Sequence, residues 1–296
     1  MPDLPDALAL LRDVLIHRRD AGERTVAVTA AALDRLRGLR HRLSEAPGHA
    51  LSAEPAAPVT APPVAAPVVE KMAPPTSAAP TGDEASRIAA LAREAEHCPT
   101  CRGLGTLRDT MVFSVGNPAA DLMFVGEAPG FEEENQREPF VGPAGQKLTQ
   151  IIRAMGLRRP EDVYISNIVK FRPKEGDGRF QGQRNRKPTP EEMAASVKYV
   201  LAEIEVVRPR VIVALGATAM EGLLGISGSV SRMRNRFQDF NGTPVMVTYH
   251  PSYLLRQESQ SPDQGKGDKR RVWEDMLLVM EKLGLPVSDK QRGYFL

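Results

Sequence analysis

Five stretches carry side chains able to do chemistry, and four of them lie in or adjoin an apolar run. Gly126-Glu127-Ala128-Pro129-Gly130 follows Asp121-Leu122-Met123-Phe124-Val125, and a second glycine-rich stretch, Pro139 to Gly145, holds Phe140. Asn167 lies within the run Val163 to Val169, Gly216-Ala217-Thr218-Ala219 follows Arg210 to Leu215, and His250-Pro251-Ser252 follows Pro244 to Tyr249. A carboxylate, an aromatic ring, an amide and an imidazole brought to one rim suit the holding and hydrolysis of something planar and polar. Each has a plainer reading when taken alone. Glycines serve wherever the backbone takes positive φ or approaches another element closely, and a single Asn or His at a strand end can cap a helix. The four together point to a site.

The elements that must position them follow from the pattern. Each apolar run reads as a buried strand, and helix-like stretches at Ala144 to Met155, Pro190 to Val207 and Ala217 to Leu224 lie between them. That alternation predicts an α/β fold, a three-layer sandwich with a central four-stranded parallel sheet flanked by helices. In such a sheet ligands bind beyond the carboxyl ends of the strands, where the four stretches fall. A last helix around Val272 to Leu283 closes the domain, with Trp273 and Leu277 packed on the sheet.

Before this domain the character differs. Residues 1–50 place leucines at helical spacing in two stretches and predict an N-terminal amphipathic helical segment, a surface for a possible protein partner. Arg35, Arg37, Arg40 and Arg42 on the second helix are either a DNA contact or a solvated basic face. Residues 51–85, rich in Ala and Pro and almost free of charge, read as a disordered tether, 86–285 as the catalytic domain and 286–296 as a tail. Neither a secretory leader nor a membrane-spanning run is indicated, which predicts a cytoplasmic protein without membrane contact. With a formal charge of +2, any reading that involves nucleic acid has to rest on local basic patches. Two cysteines, Cys98 and Cys101, are spaced like a metal or redox pair or are two unpaired thiols.

Taken in order, GEAPG, PFVGPAG, the N-I-V-K strand, N-R-x-P, LGATA and TYHPSYLLR resemble the family 4 uracil-DNA glycosylases over Glu96 to Leu283. The resemblance implies hydrolysis of the N-glycosidic bond of uracil, or another deaminated base, in single- or double-stranded DNA to leave an abasic site. It implies that Phe140 stacks on the base and that Asn167 reads its O4 and N3 edge, an amide offering both a donor and an acceptor. His250 would stabilise charge at the base O2, with Ser252 beside it and the backbone N–H groups of Ala128 and Gly130 adding to the same anion hole. Glu127 is the first choice for the acid that positions water, and Glu133 the second. Phosphate contacts are expected from Arg172, Arg184 and Arg186 in a loop longer than the usual connection, and from Arg234 and Arg256.

The resemblance also implies a four-iron, four-sulfur cluster on four cysteines. Only Cys98 and Cys101 match, as a remnant of the metal site. The other two positions are filled by Phe171 and by Ser196 or a near neighbour, so no intact cluster and no other cofactor is expected. The rival reading is a member of the superfamily without activity, kept as a DNA-binding or scaffold module. The presence of Glu127, Phe140, Asn167 and His250 together argues against it.

Overall fold

The computed structural model describes residues 82–296. The N-terminal helices expected over residues 1–50, and the tether up to residue 81, lie outside the described residues. A helix, α1, runs Gly82–Glu96, so the last residues assigned to the tether are helical. The short α2 (Pro99–Gly103) follows, with Cys98 as its N-cap.

All four expected strands form: β3 (Leu122–Gly126), β4 (Val163–Asn167), β6 (Val211–Leu215) and β8 (Thr243–Thr248). They pair in parallel in the order β4-β3-β6-β8. The sheet is wider than expected, because β2 (Ser114–Gly116) and β7 (Phe237–Phe240) add antiparallel edges and give six strands in all. A separate two-stranded sheet pairs β1 (Leu107–Met111) with β5 (Phe171–Pro173).

Every residue of β3, β4 and β6 is buried, as expected for strands covered on both faces. Alternate residues divide between two cores. Met123 and Val125 join Ile212, Ala214, Val245 and Val247 on the face covered by α5 (Pro190–Val207) and α6 (Ala217–Leu224). Leu122 and Phe124 join Val211, Val213 and Met246 on the other, under α4 (Pro143–Ala154) and a long helix at the end of the domain. Between β5 and α5 runs the loop 174–189, and before α4 comes the short α3 (Phe131–Gln136). After α6 come α7 (Val230–Met233), α8 (Pro251–Gln260) and that long helix, α9 (Pro262–Leu283). Trp273 is buried and Leu277 packs beside it, as the sequence predicts. Residues 286–296 include α10 (Asp289–Arg292), and Trp273 Nε1 donates to the Gln291 carbonyl at 2.5 Å.

The end of β4 is anchored from beneath by ions. Lys170 and Glu203 are fully buried and paired at 2.5 Å, with Ser166 Oγ and Tyr164 Oη also donating to the Glu203 carboxylate. Leaving one such partner uncompensated costs about 3–5 kcal/mol. This network therefore fixes the strand that carries Asn167.

Candidate active site

Register brings the site together. Gly126 pairs with Asn167 and Leu215 with Thr248, so the carboxyl ends of the parallel strands finish level. From β3 the chain leaves toward β4, and from β6 it leaves toward β8, so the crevice of the sheet opens between β3 and β6. Glu127 stands on one side of that crevice and Thr218 on the other, and the Thr218 hydroxyl donates to Glu127 Oε2. A cavity of about 380 Å³ lies above, walled by Glu127 to Gly130, Phe140, Asn167, His250, Ser252 and Arg256. Ala128 and Gly130 thus line it, with the Gly130 amide taken by Glu133 rather than left for an anion.

Phe140 owes its place to its backbone. Its φ of 58° is left-handed, unusual for a residue with a side chain. Arg159 holds it there, donating from Nη1 to the Phe140 carbonyl and from Nη2 to the Pro139 carbonyl, each at 2.6 Å. From the other side Glu133 Oε1 accepts from the Val141 and Gly142 amides at 3.0 and 2.9 Å, and its Oε2 accepts from the Gly130 amide at 3.1 Å. Glu133, second choice for the reacting acid, is therefore engaged with three backbone donors and fastens two turns to each other. Its role here is positioning.

The Phe140 ring lies 5.7 Å from the His250 ring, tilted by 32°, and its edge rests on Gly126. A Cβ at Gly126 would fall 2.4 Å from Phe140 Cζ and 2.4 Å from Asn167 Oδ1. Asn167 is 2% exposed, and its Oδ1 is buried with no hydrogen-bond partner. A buried acceptor in that condition costs about 1–3 kcal/mol.

The state of His250 can be derived from its contacts. It caps α8, and Nδ1 accepts from the Ser252 amide at 3.2 Å and lies 2.8 Å from Ser252 Oγ. An accepting Nδ1 puts the proton of the neutral ring on Nε2. Burial, helped by the charge of Arg256, lowers the imidazole to about 4, so the ring is a neutral donor at physiological pH. Burial raises the Glu127 carboxyl above its ordinary value, and the Thr218 hydrogen bond, Lys187 and Arg256 pull it partly back. A flat ring bearing oxygens can thus meet an aromatic face, an amide edge and an imidazole N–H, with a carboxylate nearby.

The arginines divide differently from expectation. Arg172 is 1% exposed and donates to Asn185, Glu134 and the carbonyls of Gly182 and Arg184. It organises the long loop from inside and cannot reach a phosphate. Arg186 grips Glu192 with both ends of its guanidinium, and Arg234 is held by Asp275 and the Arg271 carbonyl. Both are braces rather than free cations. Arg184 is exposed but paired with Glu175 at 2.6 Å. Arg256 is exposed at the mouth of the cavity, bonded weakly to Ser252 Oγ at 3.4 Å. Asn185 and Lys187 reach the cavity from the loop, Asn185 from the N-R-x-P motif and Lys187 from the basic segment expected to meet phosphate, while the sequence reading gave Thr218 and Asn185 no role and missed Arg159. Thr218 carried a signal in its place directly behind a strand and Asn185 in its motif, whereas Arg159 carried none.

The cysteines lie elsewhere, both 1% exposed in the core beneath α5. Cys101 Sγ donates to the Ala195 carbonyl at 3.5 Å, and burial pushes its thiol up to about 12. For Cys98 burial acts in the same direction, but hydrogen bonds from Tyr199 and Cys101 outweigh it and leave the thiol below its ordinary value. Ser196 faces Cys101, and Phe171 is 1% exposed in the same core. Two thiols, a phenol, a serine hydroxyl and a phenyl ring do not fit a cluster that needs four thiolates. Among the described residues no three His, Cys, Asp or Glu side chains are grouped to hold a metal, and no helix is long and apolar enough to cross a membrane.

Comparison with known proteins agrees with this geometry. The model of the uracil DNA glycosylase superfamily matches residues 113–277, which span the whole six-stranded sheet and every wall of the cavity. The type-4 uracil-DNA glycosylase of Thermotoga maritima is 44% identical over 171 residues, covering 57% of this chain and 83% of the relative. That of Archaeoglobus fulgidus is 35% identical over 192 residues (62% and 90%), and that of Saccharolobus solfataricus 37% over 174 residues (56% and 76%). With the matched segment coinciding with the parallel sheet and its rim, the chain belongs to the uracil-DNA glycosylase superfamily, in its type-4 branch.

Proposed function

We propose that this chain excises uracil from DNA by hydrolysing the N-glycosidic bond, as the first step of base-excision repair. The observation that carries the reading is the pairing of the partnerless Asn167 Oδ1 with the neutral His250 in one cavity. An extruded uracil supplies what the amide lacks: its N3–H donates to Oδ1 and its O4 accepts from Nδ2. Cytosine offers an acceptor and a donor in the reverse order, so the same amide rejects it. Phe140 receives the face of the ring, which offsets part of the few kcal/mol needed to unstack a base.

Cleavage leaves the bonding pair on the base and positive charge on the sugar. The His250 Nε2–H meets the charge growing on the base oxygen, and because the ring is neutral it gives up no proton to do so. Glu127, with a carboxyl made more basic by burial, orients the water that attacks the sugar and offsets the cation there. Lys187, Arg256 and Arg184 near the cavity receive the backbone of the DNA.

The test is release of uracil from a single-stranded and a duplex oligonucleotide, read as abasic sites, with Asn167→Ala and His250→Ala beside the intact chain. Abasic product from the intact chain that falls sharply in both variants is the expected result. No product from uracil or any other deaminated base would refute the reading.

A further inference from the structure

The loop between β5 and α5 borders two hollows. Its later residues, Asn185, Arg186 and Lys187, wall the cavity just described. Its earlier residues, Gly178 and Arg179, border a separate polar cleft together with Arg108, Phe131 and Arg137. Between Arg179 and Gly182, which also lines the cleft, stands Phe180, 89% exposed, more than any other large apolar residue among the described residues.

A lone exposed ring needs no explanation in general. This one is held out in water by a braced backbone. Arg108 Nη1 donates to the Gly178 carbonyl at 3.0 Å on one side of it. On the other, Gln181 is buried and donates from Nε2 to the Pro173 and Arg184 carbonyls, while Arg172 holds the Gly182 and Arg184 carbonyls. Pinned at residues 178, 181, 182 and 184, the backbone keeps the ring outward. Its surroundings are cationic. Arg179 is 80% exposed with only a 3.5 Å contact to an exposed Asp177, and Arg137 is exposed with no ion pair among the described residues.

Aromatic rings set among cations along a groove are how proteins hold unpaired nucleic acid without regard to sequence, since every base has a face to stack and every nucleotide a phosphate. We infer that this loop is a second nucleic-acid contact, in which Phe180 stacks on an unpaired base of the strand flanking the extruded nucleotide while Arg137 and Arg179 receive its phosphates. The presence of DNA rests on the proposed function. The stacking does not depend on which base is excised.

The experiment uses the intact chain carrying Phe180→Trp, titrated with a single-stranded oligonucleotide that contains no uracil. Trp273, the one native tryptophan, is 2% exposed and contributes a constant background. Saturable quenching of the new indole is expected, and it moves to higher oligonucleotide concentration when Arg137→Ser and Arg179→Ser are added. Phe180→Ala raises KM for a single-stranded uracil substrate about tenfold with kcat unchanged, and Phe180→Trp restores it. An intact chain that releases uracil, a Phe180→Ala variant with the same KM and an indole that no oligonucleotide quenches would overturn the contact and leave the function standing. Quenching by a chain that releases no uracil would do the reverse.

Discussion

The cavity at the strand ends and the corner around Cys98 both gather residues of reactive type, and they differ in what those residues have left to give. In the cavity Asn167 Oδ1 is buried without a partner, the accepting Nδ1 of His250 leaves its proton on Nε2, and Gly126 leaves room for a ring. In the corner the thiol of Cys101 is spent on a carbonyl, Cys98 is met by Tyr199 and Cys101, and apolar side chains fill the remainder. Unsatisfied bonding capacity therefore separates a site from a packed corner better than the kinds of residue present.

The largest effect is expected at the cavity, where His250→Ala removes the donor to the departing base. Its kcat should fall about 10²–10³-fold, while loss of the α8 cap lowers stability by only about 1 kcal/mol. A loss of less than threefold would place the decisive donor elsewhere.

Next comes stability against pH. His250 is depressed to about 4 from an ordinary 6.5, so the unfolded chain takes up its proton first as pH falls. Its contribution is unaffected above about 6.5, declines between about 6.5 and 4, and amounts to a loss on the order of 3 kcal/mol. Denaturant titrations at pH 7 and 4.5 should show a smaller acid loss for His250→Asn, whose amide still caps α8, than for the intact chain. Parallel losses would mean that the imidazole is not held neutral.

A smaller change is expected from Thr218→Val. Glu127 must be ionised to act, so activity falls as pH drops through its raised pKa, and the Thr218 donor favours the ionised form. Its removal moves the acid limb of the rate profile to higher pH. An unmoved limb would assign the limb to another group.

The smallest effect belongs to the corner. Prolonged incubation with an iron chelator should change neither uracil release nor the melting temperature, measured on the same preparation. A chelator-dependent loss, or iron in the purified chain, would overturn the account of the cysteines.

The central sheet was legible because β3, β4, β6 and β8 are short apolar runs separated by helical stretches. The edges were not. β2 spans three residues and β7 alternates Phe, Gln, Asp, Phe, too little apolar length to stand out from a loop. At the site the ends of the strands named Glu127, Asn167 and His250, since position alone brings them to the rim. The arginines show why the remainder was hidden. Arg172 is neutralised by Glu134, 38 residues earlier, and Arg234 by Asp275, 41 residues later, and no local pattern distinguishes a brace from a phosphate contact. The partners of Glu133 were hidden in the same way, because two of its three amides reach it only once the chain turns back at Val141.

The bare Cα of Gly126 has a consequence for how such a protein can change over generations. A single methyl group there would collide with both the ring of Phe140 and the amide of Asn167, filling from within the space meant for the base. The outer surface, with Arg256, Lys187 and the braced loop, would be untouched. The same fold and cationic surface then persist without a place for the base, and one carbon atom separates the two.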